Sequence, residues 1–295
     1  MAGFELVKLR TEKLVKLGIV LAVLFASWLL CMGCGGGSSN SSGPYSSITS
    51  GNWSLTATST VTSGLVLSIG GSLTQSGNVV SGTVLVSSSV SSCPSLSAVA
   101  IPFTGTFSGD VLTLTSANVN GQFVRVNAIG SGSSLTGTYS VVGGCADGDK
   151  GTIAASYLPP LTGTWTGTFT NPDGSPVPVN PNNPREYATA SLTLTQSATA
   201  IDGSFPLSGT FNTNFVSTCF VSGTIPGVGT TIGTYVMGTS VVITAGGADG
   251  GEILYEGLLD EAPLGSANVT LIEGRFASGT NCRFGELLLN LDQVR

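Results

Sequence analysis

Ala188-Thr189-Ala190-Ser191-Leu192-Thr193-Leu194-Thr195 sets an apolar residue against a hydroxylic one at every step. A period of two puts the apolar side chains on one face of an extended strand and the hydroxyls on the other. Leu65, Leu67, Ile69 and Leu73 keep the same register earlier in the chain. Beyond residue 34 no segment carries a 3.6-residue apolar stripe. Glycine supplies 42 of 295 residues, about twice its ordinary share. With 13 prolines added, the total still falls short of a disordered low-complexity chain. The fold class these patterns imply is all-β.

Working outward, strand-like stretches fall near 51–59, 64–76, 79–87, 97–107, 110–115, 121–128, 134–142 and 150–156. The region from 161 onward divides into a similar number once a Pro- and Asn-rich insertion, Asn171 to Pro184, is set aside as a long hairpin loop. Short sequential strands joined by tight turns suit an antiparallel eight-stranded up-and-down barrel, which has no open edge. The expectation is two such barrels in tandem. The alternatives are one merged or different β-architecture and a pair of immunoglobulin-like sandwiches, whose hallmark Trp lies between the two cysteines; here Trp53 and Trp165 precede both.

The two halves look like copies of each other. Gly51-Asn52-Trp53 opens one and Gly163-Thr164-Trp165 the other. Leu73-Thr74-Gln75-Ser76 through Thr83 aligns without a gap to Leu194-Thr195-Gln196-Ser197 through Ser204. A cysteine follows in each, Cys93 and Cys219. Later, Leu135-Thr136-Gly137-Thr138-Tyr139 parallels Ile272-Glu273-Gly274-Arg275-Phe276, and Cys145 parallels Cys282. The order gives β-domains at 51–158 and 161–295, divided at Pro159-Pro160. Four cysteines allow three pairings, and the repeat selects Cys93–Cys145 and Cys219–Cys282. Bridges closing such loops stabilise by about 4 kcal/mol in the chain-entropy model. A zinc site is the alternative use, but it lacks histidines and C-x-x-C pairs.

Ahead of these domains, Lys8, Arg10, Lys13 and Lys16 precede an apolar run from Leu17 to Leu30 and then Cys31-Met32-Gly33-Cys34-Gly35-Gly36-Gly37. The run is short for a membrane-spanning helix, which needs about 20 residues, and suits a signal-peptide core. The stretch resembles a bacterial lipoprotein signal. The resemblance implies a signal peptide at 1–33, acylation of Cys34 (Cys31 being the other acceptor, and an uncleaved N-terminal anchor the remaining reading), and export to the cell envelope. The acyl chains on Cys34 would be the membrane partner, and a Gly/Ser tether at 34–50 would lift the folded part clear of the lipid. A chain starting at Cys34 keeps six basic and fourteen acidic residues, a net charge of −8. That balance makes nucleic acid a poor partner.

Gly51-x-Trp53 and Gly163-x-Trp165 are similar to the Gly-x-Trp that opens lipocalin-type barrels, and Leu135 to Tyr139 is similar to an avidin-type strand. The likeness implies a calycin-like barrel with the opening Trp plugging one end. An interior lined by Leu65, Leu67, Leu112, Leu114 and Tyr139 would then favour a small apolar ligand.

Catalytic expectations are meagre. The chain has no histidine, which excludes Ser–His and Cys–His nucleophile systems. Asp249, Glu252, Glu256, Asp260 and Glu261 could supply a carboxylate pair for glycoside hydrolysis. They have no counterpart in the first half and read as a solvated loop. Asp147-Gly148-Asp149-Lys150-Gly151 lacks the further ligands of a calcium loop and reads as a turn beside Cys145. No catalytic residue, metal or cofactor is expected. The leading expectation is a non-enzymatic binding module for a small apolar ligand or a surface component. The alternative is a structural or adhesive envelope protein with filled cores, and a carbohydrate-active enzyme comes third.

Overall fold

The computed structural model describes residues 47–88, 99–180, 183–214, 222–226, 233–247, 252–259, 271–278 and 287–294. The signal segment, Cys31, Cys34 and the tether as far as residue 46 lie outside these.

The first half is a closed barrel built from β1 (Gly51–Ser59), β2 (Val66–Ser76), β3 (Val79–Ser88), β4 (Ala100–Ser108), β5 (Val111–Ser116), β6 (Phe123–Ser131), β7 (Ser134–Val142) and β8 (Lys150–Leu158). Each strand pairs antiparallel with the next, and β8 returns to β1 with Trp53 opposite Tyr157 and Ala57 opposite Ile153. The strands match the sequence segmentation to within three residues at every end. Alternation explains the closure: Val124, Val126 and Ala128 of β6 point inward while Phe123, Arg125 and Asn127 point out. The inward side chains, Trp53, Leu73, Ile101, Phe107, Leu112 and Leu135 among them, form one contiguous core. Glycine makes the tight curvature possible. A Cβ on Gly82 would collide with the Ser72 carbonyl oxygen, and one on Gly105 with that of Thr113. Bare backbone lets the strands coil that closely.

The second half comprises β9 (Gly163–Thr170), β10 (Pro178–Asn180), β11 (Asn183–Tyr187), β12 (Thr189–Gln196), β13 (Phe205–Thr213), β14 (Ser222–Ile225), β15 (Tyr235–Met237), β16 (Ser240–Gly247), β17 (Glu252–Leu259), β18 (Leu271–Ser278) and β19 (Leu287–Val294). The insertion is a hairpin of its own, β10 with β11. The other nine strands form a sheet in the order β12-β9-β19-β18-β17-β16-β14-β13-β15, with β12 also paired to β13 and β15 to β16. Its core gathers Trp165, Phe169, Leu192, Phe211, Tyr255 and Leu289.

The structure revises several expectations. The folded region starts before Gly51: Ile48 is buried and bridges Gly132, so the last residues assigned to the tether belong to the barrel. The gapless match of residues 73–83 with 194–204 does not survive pairing. Leu73 faces Gly82, whereas Leu194 faces Gly209, so Ser208-Gly209-Thr210 is the partner of Ser81-Gly82-Thr83. The extra residues form a loop closed by a tight turn at Asp202 and Gly203, both with positive φ (50° and 86°). Pro159-Pro160 is no flexible boundary either, because Leu158 and Leu161 on its two sides sit in the second core.

Residues 44–295 make one compact unit, and the join between its halves is specific. Asn52, 2% exposed, donates through Nδ2 to the Gly238 carbonyl oxygen at 2.9 Å and accepts from the Gly238 N–H at 2.7 Å. Gly238 occupies the turn between β15 and β16 with φ 54°. It lies so near Gly70 that a Cβ on Gly70 would be 2.8 Å from its Cα.

Candidate functional site

The Trp motifs are structural latches, and each half builds the same one. Trp53 is fully buried, and its Nε1 donates to the Thr49 carbonyl oxygen at 2.8 Å; Trp165, equally buried, donates to that of Leu161 at 2.9 Å. Gln75 Oε1 accepts from Ile48 N–H, and Gln196 Oε1 from Leu161 N–H, both at 2.9 Å. The hydroxyls of Ser50 and Thr162 accept from the backbone N–H of Gln75 and Gln196 at 3.0 Å. In the first half the segment thus runs from Gly132, at the β6–β7 turn, to Gln75 at the end of β2, crossing one mouth of the barrel. Gly51 and Gly163 stand at φ 146° and 144°, a region essentially reserved for glycine. A Cβ on Gly51 would also press on the Tyr157 ring, which packs edge-on against Trp53 at 6.1 Å.

At the barrel's opposite end lies a carboxylate that sequence reading passed over as a turn residue. Asp149 is 6% exposed. It accepts from Tyr139 Oη at 2.7 Å through Oδ2 and from Ser59 Oγ at 2.5 Å through Oδ1. Ser59 Oγ in turn accepts from the N–H of Thr62 at 2.8 Å. Burial, with the Asp149 carboxylate beside it, pushes the Tyr139 hydroxyl up to about 12. Among the described residues its hydrogen-bond donors are all hydroxyls, those of Tyr139, Ser59 and, at 3.5 Å, Thr62, and they tie the end of β1 to β7 and to the start of β8. Alternation on β7 placed Tyr139 inside, and a buried Tyr needs a partner for its hydroxyl; that was the signal for Asp149.

Cys145 sits in a short 3-10 turn, Gly144–Ala146, and is disulfide-bonded. Cys93, Cys219 and Cys282 lie outside the described residues, as do Asp249, Asp260 and Glu261. Glu252 and Glu256 are on strand β17 rather than in a loop, and Glu256 is exposed. Among the described residues no cluster of three or more acidic or cysteine side chains could hold a metal ion.

The inner positions named from sequence, Leu65, Leu67, Leu112, Leu114 and Tyr139, are all buried and belong to the continuous core. Among the described residues, two concavities lie on the outside. A cleft of about 530 Å³ separates the first barrel's wall at Thr74, Thr83 and Phe103 from the 198–205 loop of the second half. A groove of about 700 Å³ runs over the outer face of β19, β9, β12 and β13, lined by Thr166, Thr168, Thr189, Ser191, Asn212 and Asn290, with Asp292 its one charged residue. The insertion borders it. Thr170 bridges Pro176, and Asn214 clips the entry to β12 through the Tyr187 carbonyl oxygen and the Thr189 N–H. In the turn leading into the insertion, the hydroxyl and N–H of Ser175 hold the Asp173 carboxyl below its ordinary value.

No family model, curated protein or solved structure matches the chain.

Proposed function

We propose that this is an exported, lipid-tethered envelope protein that acts without catalysis through its hydroxyl-rich outer surface. The carrying observation is the first barrel's interior, where inward side chains from all eight strands form one contiguous apolar core. A lipocalin-like pocket for an apolar ligand requires a chamber in that place; among the described residues, hollows of about 700 and 530 Å³ lie on the exterior. The second half, on this reading, is a diverged copy that also closes into a barrel. In support, β12 pairs with both β9 and β13, and the Trp–Gln latch recurs, its Gln accepting from Leu161, one place later than the counterpart of Ile48. Attachment rests on the signal-like run ending at Cys34.

Two measurements on protein from its own host test the proposal. Native mass spectrometry should find the chain carrying acyl groups and no co-purifying lipophile; a stoichiometric lipophile that leaves on unfolding would overturn the filled-barrel reading. Cys34→Ser should abolish palmitate labelling and leave precursor unprocessed. Labelling that persists until Cys31 is changed would move the anchor.

A further inference from the structure

We propose that the groove on the outer face of the second half is a binding site for a neutral glycan. This deepens the exterior-acting function and rests on it.

The groove is an ordered array. Asp292, Thr166, Ser191 and Asn212 lie opposite one another across β19, β9, β12 and β13, and Asn290, Thr168 and Thr189 form a second row beside them. Adjacent strands are about 4.8 Å apart, so the first row presents polar side chains over roughly 14 Å. That length suits a short oligosaccharide lying across the strands. Among the described residues, the side chains of Thr166, Thr168, Ser191, Asn212, Asn290 and Asp292 make no hydrogen bond to protein. Hydroxyls and amides both donate and accept, as the hydroxyls of a sugar do. With one carboxylate and no Lys or Arg in the lining, an anionic ligand has nothing to neutralise it.

Two further observations separate this face from ordinary barrel surface. Tyr187 points outward two residues before Thr189, is half exposed, and stands where β11 hands over to β12. Tyr187 is next to the lining rather than part of it, and a ring at that edge would offer a flat apolar face to the C–H side of a sugar that extends past Thr189. Moreover, the corresponding face of the first half is already occupied. With Trp53 aligned to Trp165 and Leu73 to Leu194, Ser54 and Gly70 correspond to Thr166 and Ser191. Gly70 is the residue on which Gly238 is seated. In the second half no described residue covers the equivalent surface, which carries side chains in place of glycine and is flanked by the inserted hairpin. A second copy of this chain could not seat its Gly238 turn there as it does on Gly70, because Ser191 occupies the space.

The full chain, purified in a zwitterionic detergent without a sugar head group, would be titrated calorimetrically with cellohexaose, maltohexaose and N-acetylchitohexaose. It would also be applied to an array of neutral and acidic glycans. Saturable binding of a neutral saccharide is expected, weakened at least tenfold by Tyr187→Ala and by Asn290→Ala, with Tm unchanged in both variants. Binding to no neutral glycan, a preference for acidic ones, or affinity indifferent to both substitutions overturns the proposal. Concentration-dependent dimerisation abolished by the same substitutions would assign the face to self-association and likewise overturn it. None of these outcomes bears on whether the barrel is filled, so the two readings fail separately.

Discussion

At the scale of single residues, a buried polar group is held only when its partners are built in, and Asp149 shows the rule in both directions. The carboxylate stays buried because Tyr139 and Ser59 donate to it, and Tyr139 is held neutral by the same contact. Ionising Tyr139 would bring a phenolate against a carboxylate inside the barrel. Its folded-state value near 12 lies above the ordinary 10, so the contact's contribution is complete below pH 10 and is lost as pH climbs through 12. Chemical denaturation from pH 8 to 12 should therefore show stability falling steeply above pH 10. Tyr139→Phe should cost about 1.5–3 kcal/mol at neutral pH, the range for a hydrogen bond to a charged group, and should flatten that alkaline decline. Burial raises Tyr157 as well, so a residual slope is expected. An unchanged slope in Tyr139→Phe would remove this contact as its source.

At the scale of elements, the period-two alternation was enough to place the strands of the first barrel, because each strand there has one dry face and one wet one. Alternation says nothing of which strand pairs with which, and the second half shows the consequence. Leu194 to Ser204 resembles Leu73 to Thr83 residue for residue, yet Asp202-Gly203 forms a tight turn of its own and the strand resumes at Phe205. The groove was illegible for a similar reason. Thr166, Ser191, Asn212 and Asp292 are scattered over 127 positions of sequence and meet only through register. The cysteine pairing, by contrast, is an expectation that rests on the order of the repeats alone. Peptide mapping of non-reduced protein should recover Cys93 linked to Cys145 and Cys219 linked to Cys282. Reduction should lower stability by about 4 kcal/mol per bridge in the chain-entropy model. A link running from one half to the other would defeat both the pairing and the repeat alignment behind it.

At the scale of the whole molecule, the join between halves sets how the protein unfolds. Repeats connected by a slack linker melt independently, but here the connection is Pro159-Pro160 between two residues of the same core. Asn52 satisfies both backbone groups of Gly238, and Gly70 lets that turn approach to backbone contact. Asn52→Ala would leave a buried N–H and a buried carbonyl without partners, at about 1–3 kcal/mol for each. Gly70→Val would push the turn away by bulk while leaving the polar pair in place. Calorimetry of the unaltered protein should thus give a single transition whose van't Hoff and calorimetric enthalpies agree. Either substitution should split it in two, the barrel's own midpoint nearly retained in Asn52→Ala. Because Asn52 is in the first half and Gly238 in the second, two separate transitions in the unaltered protein would mean that the contact is too weak to couple them. The halves would then have to be treated as independent domains.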